Sequence, residues 1–251
     1  MCVSGSYLAG SIKGRILRPI LILEICMFRD VLPVFENLNE KAEQIAGEHF
    51  IEIGNQPAGE YESIDMASVA EDAFEEGEAY CETMRTMRQT MRNLLAAGLF
   101  HLVEQQLSEI CRDATFKNEG PTGKNLETIT AWYKEHFELD LETLSNWKLI
   151  NEMRLVTNSV KHAEGKSVEK LRGIRPELFL MPDYQIFEDD DPAELIQEAS
   201  RRRVYQPLAG EDLYVSEELL HIYCKAAENF FLEIAAYFAS HPDDYYPKQP
   251  M

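Results

Sequence analysis

The chain has 251 residues, 45% of them hydrophobic and 27% charged, which is the composition of a globular protein and not of a disordered one. Its formal charge of −20 excludes broad, sequence-blind binding to nucleic acid or anionic membranes, because the long-range field repels phosphate. The five cysteines (Cys2, Cys26, Cys81, Cys111 and Cys224) are scattered and form no CxxC pair, so they support neither a disulfide framework nor a zinc site. A reducing cytoplasm is the natural compartment for such a chain. No apolar run reaches the roughly 18 residues of a membrane span, so no membrane association is expected.

Residues 1–26 carry three bases and then a short apolar run interrupted by Glu24. The pattern loosely resembles a secretory signal but is followed by no small-residue cleavage site. Met27 reads like an ordinary protein beginning, which makes residues 1–26 an expected poorly packed extension; an ordinary N-terminal strand or helix is the competing reading. Phe28–Phe50 reads as mostly helical, with Pro33 in a first turn, and 51–62 reads as a loop rich in Gly, Asn and Pro. From Gly59 to Glu82 there are nine acids and no base, either a solvated helix face or a surface for a basic partner.

Ser63–Ala114 is the longest helical pattern, with Val69, Ala73, Gly77, Tyr80, Met84, Met87 and Met91 recurring every three or four residues. A break is expected near Gly77 or Gly98. The methionine row reads as core, as a dimer seam or as an adaptable binding surface. His101 and Glu104 fall on this helix, where a bundle could turn them toward His162 or leave them as ordinary core or surface groups. Residues 117–124 form a loop that lacks the first glycine of a phosphate loop, Asn118 standing in its place. Asn125 is placed to cap a helix through Phe137, and Asp140 or Ser145 to open the next.

That next segment, residues 146–165 (NWKLINEMRLVTNSVKHAEG), organises the reading. Trp147, Ile150, Met153 and Val160 recur at helical spacing and form a packing face. Arg154, Asn158 and His162, each four apart, form a polar stripe with Lys161 beside it. Gly165 is the expected stop, which leaves His162 in the last turn, where the helix carbonyls favour positive charge. Between Ser145 and Arg175 seven bases face three acids, a net of +4 within a strongly acidic chain. The island is either an anion site or a solvated face.

Ser167–Arg175 reads as a short helix ended by Pro176. The acids Glu188–Asp191 lack the alternating ligands and turn glycine of a calcium loop, and Asp191-Pro192 reads instead as a helix start. Arg201, Arg202 and Arg203 make a second basic cluster, suited to auxiliary phosphate contacts. Ser216 is placed to cap a final helix whose Leu220, Tyr223, Ala227, Phe230 and Ile234 form a wide apolar face, and residues 243–251 read as a frayed tail. Strand patterns are weak and no internal repeat is present. The expected fold is an all-α antiparallel bundle of four or five main helices with short appended helices. Its parts are an N-terminal extension, helix and loop (1–62), the bundle (63–241) and a tail (242–251).

The segment around Asn158 and His162 resembles the signature helix of the HEPN superfamily, all-helical domains that are commonly dimeric and many of which are metal-independent ribonucleases. In the common form Arg-Asn-x-x-x-His, the Asn and His match Asn158 and His162. The arginine position falls on Thr157, and Arg154 stands one turn earlier on the same stripe. The resemblance implies His162 as general acid or base, Arg154 as stabiliser of phosphate charge and Asn158 as an orienting group. Lys161, Lys166, Arg201, Arg202 and Arg203 would then contact RNA or a nucleotide. It also implies a homodimer, no cofactor and no metal, and a toxin or phage-defence setting. A non-catalytic HEPN-like scaffold, binding a nucleotide or partner protein, is the alternative. A plain helical protein with a structural His162 is the third reading.

Overall fold

The computed structural model describes residues 2–54, 65–115, 120–121, 125–182 and 191–247, and the fold is an all-α helical bundle. Of the loop expected at 51–62, residues 51–54 instead continue a helix and 55–62 lie outside the described residues, as do 117–119 and 122–124 of the loop expected at 117–124 and the acids 188–190.

The chain opens with a two-residue strand, β1 (Val3–Ser4), then α1 (Gly5–Ser11), a turn of π-helix and α2 (Arg18–Ile25). A second π-helical turn and a 3₁₀ turn, Leu32–Phe35, lead into α3 (Leu38–Gly54). The predicted helix 28–50 is therefore interrupted before Leu38, where Glu36 is extended and Asn37 takes a φ of 54°. Next come α4 (Met66–Thr115), α5 (Leu126–Phe137), α6 (Trp147–His162) and α7 (Lys166–Ile174). The chain finishes with α8 (Pro192–Arg201), α9 (Glu217–Ser240) and β2 (Tyr245–Tyr246). Cap chemistry sets several of these boundaries. The side chains of Asn125, Asp191 and Ser216 accept from the amides of Thr128, Ala193 and Leu219, satisfying donors that a helix start leaves unpaired.

Helix α4 is the spine and runs unbroken for 50 residues, about 75 Å. The break expected at Gly77 or Gly98 is absent, because an isolated glycine weakens a helix by only about 1 kcal/mol and neighbouring packing can offset that. Gly77 is a point of close approach: a Cβ there would lie 2.8 Å from the Ala42 carbonyl oxygen of α3. The first part of α4 packs mainly against α3, through Val69, Ala73, Gly77 and Cys81, as a two-helix arm. The second part, from Ala96 to Ala114, is the core wall on which α5, α6 and α9 converge.

The first 26 residues are not a poorly packed extension. Leu8, Ile12, Ile16 and Ile20 are fully buried in the common core, and α1 and α2 lie against α9. Strand β1 pairs antiparallel with β2, matching Val3 to Tyr246, and the Gly5 amide donates to Asp244 at 2.9 Å. Tyr246 is buried edge-on against Phe137 and Phe238, so the described part of the expected frayed tail is anchored. The physical reason is burial: an apolar run that reads as a weak signal in isolation becomes core once α9 offers it an apolar face.

Two expectations follow. Ile16→Ala should destabilise the protein by about 2–5 kcal/mol in chemical denaturation, the range for large-to-small changes in a core; a neutral result would show residues 1–26 to be peripheral. Gly77→Ala should lower stability by about 1–3 kcal/mol through overpacking against Ala42. Gly98→Ala, where a Cβ meets nothing within 4 Å, should raise it by about 0.5–1 kcal/mol.

Candidate functional site

Helix α6 buries Ile150, Met153, Val156 and Val160 on one side, with Trp147 partly buried, as the spacing predicts. The opposite stripe reaches the surface. Arg154 and Asn158 are half-buried, and Lys161 and His162 are exposed. The Arg154 guanidinium is held in place by Asn151, whose side-chain oxygen accepts from Nε at 3.0 Å and from Nη2 at 2.9 Å. Thr157, the position that the family spacing gives to arginine, is fully buried and its hydroxyl has no partner among the described residues. An arginine at 157 would have to bury its charge on this face of the helix.

The helix ends earlier than Gly165. Ala163 leaves the helix with a φ of 54°, and the extended Gly165 precedes the first turn of α7. The turn between them is stitched to a distant segment. The Glu164 amide donates to the Val204 carbonyl at 3.2 Å, and the Val204 amide donates to Glu164 Oε2 at 2.9 Å. Arg172 of α7 grips both oxygens of the Glu164 carboxylate at 2.6 and 2.8 Å and donates to the Arg202 carbonyl at 2.7 Å. This brings Arg202 and Arg203 to the corner that holds His162 and Lys166. Arg201 lies on α8, exposed, and Arg203 stacks over the Tyr205 ring.

Much of the positive island is therefore partnered internally. Besides Arg172 with Glu164, Arg175 donates to Glu152 at 2.7 Å and pairs with Glu177. Among the described residues the island's exposed lysines without a partner are Lys148, Lys166 and Lys170, while Arg154 is half-buried against Asn151 and Lys161 is engaged across the α4–α6 seam.

That seam holds an arrangement the sequence only half disclosed. His101 of α4 faces Lys161, the residue before His162, with Nζ and Nε2 2.8 Å apart. An ammonium can only donate, so Nε2 accepts, and Nδ1 carries the proton that it donates to Glu104 Oε2 at 3.1 Å. Burial pushes the Glu104 carboxyl up from its ordinary range, against the opposing pull of His101, the Leu126 amide and Lys161. The result is a carboxylate, a neutral imidazole of fixed tautomer and a cation in series, beside the stripe of Arg154 and Asn158. The His-Glu spacing of three along one helix was the available signal; its partner across the seam was not readable.

Among the described residues no group of three or more His, Cys, Asp or Glu is placed to hold a metal, and no helix is long and apolar enough to cross a membrane. All five cysteines are unpaired, and burial raises the Cys111 and Cys224 thiols, Cys224 to about 12. No protein-family model, curated protein or solved structure matches the chain.

The Glu164 clamp carries a pH expectation. The Arg172 guanidinium holds this carboxyl below its ordinary value of 4.5. Its stabilising effect is full above that value and is lost as pH falls through the lower folded one. The difference in melting temperature between the wild type and Glu164→Gln should thus be constant above about pH 5.5 and shrink steadily as the solution is acidified below about pH 4.5. A difference that persists unchanged at about pH 3 would show that the carboxylate charge is not what holds the turn.

Proposed function

We propose that the α4–α6 seam handles a phosphodiester and that the chain is an HEPN-like endoribonuclease working without a metal. The observation that carries this reading is the coincidence of Arg154, Asn158, Lys161 and His162 on the outward side of α6 with a second histidine, His101, held by Glu104 and facing Lys161. Cleavage by the ribose 2′-hydroxyl needs one group to take its proton and another to protonate the departing 5′-oxygen. Two histidines meet that requirement, since imidazole exchanges protons near neutral pH. Glu104 positions His101 through Nδ1, leaving Nε2 for proton transfer once Lys161 swings from it to a phosphate oxygen. Arg154 stabilises phosphorane charge with its fixed fork of donors, and Asn158 orients the phosphate. Lys166, Arg202 and Arg203 meet the flanking phosphates. A homodimer and a toxin or phage-defence setting rest on the resemblance alone, and a cytoplasmic location on the cysteine pattern.

One observation favours the alternative, a non-catalytic HEPN-like scaffold: Arg172 and Arg175 are closed in ion pairs, and Thr157 is buried where the family arginine belongs. A metal-free assay separates the two. With EDTA present, the wild type should cleave single-stranded RNA to products ending in a cyclic phosphate. Arg154→Ala and His162→Ala should each lower the rate by about 10² to 10³, and His101→Gln by about 10². No cleavage by the wild type would leave the scaffold reading in place. Equal cleavage by all variants would identify a contaminating nuclease.

A further inference from the structure

On the arm, well away in sequence from α6, one stripe of α4 faces away from α3 and is exposed among the described residues. Packing against α3 uses Val69, Ala73, Gly77 and Cys81, whereas Phe74, Glu78 and Glu82 recur every four residues on another stripe. That stripe forms one wall of a cleft of about 890 Å³, and Met181, Pro182, Gly210, Glu211, Asp212 and Tyr214 form the other. Gly210 closes the inner end: its φ is 77°, and a Cβ there would fall 2.5 Å from the Thr86 carbonyl oxygen. The cleft therefore has a fixed floor.

Two properties of this cleft point to the same kind of occupant. Phe74 is 64% exposed and Met181 52% exposed, so large apolar side chains face water in a concave site instead of core. Around them acids outnumber bases: Glu75, Glu78, Glu82, Glu211 and Asp212 line the cleft against Arg85, Arg88 and Arg92, of which Arg92 is paired with Glu217 and Arg85 donates to Asn39. Asp65–Met84 contains seven acids and no base, and Glu75, Glu78 and Glu82 on the cleft wall are all exposed. Arg88, further in on the same wall, makes no hydrogen bond or ion pair among the described residues.

We propose that this cleft is the docking site for a basic amphipathic helix of a partner protein. An apolar stripe laid into a groove beside a helix is a recurring mode of recognition. Lysines or arginines flanking the stripe would meet Glu75, Glu78 and Glu82. The partner's carbonyl end would lie toward Arg88, which sets its direction. A second copy of this chain is disfavoured, because it would bring like-charged arms together, and nucleic acid is repelled for the same reason. The inference is independent of any ribonuclease activity.

The test uses the full chain and a fluorescent helical peptide of lysine and leucine, about five turns long, with its leucines on one face. A second peptide of identical composition has the leucines scrambled. At physiological salt the amphipathic peptide should bind with micromolar affinity and the scrambled one at least about tenfold more weakly. Phe74→Ser, at an exposed position, should weaken binding about tenfold while leaving the melting temperature unchanged. Glu78→Lys/Glu82→Lys should weaken it at least as much. Asp72→Lys/Glu76→Lys makes the same change of charge on a different face of the arm and should alter affinity less than about twofold. Equal binding of the scrambled peptide, or equal weakening by both charge reversals, would overturn the proposal by reducing the effect to net charge. Concentration-dependent dimers abolished by Phe74→Ser, with no peptide bound, would overturn it in favour of a self-interface.

Discussion

Glu152 lies on the inward face of α6, only 9% exposed, and the molecule on that side is arranged to neutralise it. Its Oε1 accepts from Arg175 at 2.7 Å and from the Tyr223 hydroxyl at 2.8 Å. Tyr223 is itself fully buried, and burial followed by the Glu152 charge holds its hydroxyl firmly protonated, so it stays a donor. One carboxylate thus ties α6 to the end of α7 and to α9. Leaving such a charge without its partner costs about 3–5 kcal/mol, far more than a surface pair contributes. Arg175 and the 3₁₀ turn Pro176–Phe179, which holds Glu177, are consequently fixed relative to α6. The Glu164–Arg172 clamp does the same for the other end of α7 and for residues 202–204. Two cations of the positive island, Arg172 and Arg175, are thus scaffolding of this corner, and the outward stripe of α6 is left outside it.

The same logic of buried polar groups governs the spine. Asn93, fully buried in the middle of α4, donates to the carbonyls of Pro207 and Leu213 at 2.8 Å each and accepts from Gln89 and the Val215 amide. An amide satisfied on both sides fixes the 207–215 segment against α4, because any other arrangement would strand donors in the core. That segment supplies one wall of the arm's cleft and leads into α9. A single asparagine therefore couples the point where the arm leaves the core to the start of the last core helix.

What the sequence disclosed was local. Helix caps at Asn125, Asp191 and Ser216 were legible because a cap is a contact between residues two or three apart. The packing face of α6 was legible from its period. The fate of residues 1–26 was not, because Leu8, Ile12 and Ile16 find their partners on α9 and β1 pairs with β2 at the opposite end of the chain. Nor was the stop of α6: Gly165 carried the usual signal, yet Ala163 makes the turn, held by the exchange between Glu164 and Val204. At the seam, the residues Arg154, Asn158 and His162 could be placed on one stripe. That Lys161, and not His162, would meet His101 required knowing how α4 crosses α6.

Electrostatics then constrains how any site on α6 can work. The chain carries −20, and the exposed acids of the arm concentrate much of that charge at one end. At physiological salt the field of separated surface charges falls off over about 8 Å, so the arm does not reach the α6 seam as a direct repulsion. It acts on approach instead, slowing the encounter with a long polyanion and favouring that with a basic partner. A phosphodiester arriving at the seam would be held only by short-range contacts with Arg154, Lys161 and the Arg202–Arg203 corner. On that account the molecule is polarised in charge: the arm would bias what comes near, and a site at the seam would depend on what is brought within hydrogen-bond reach.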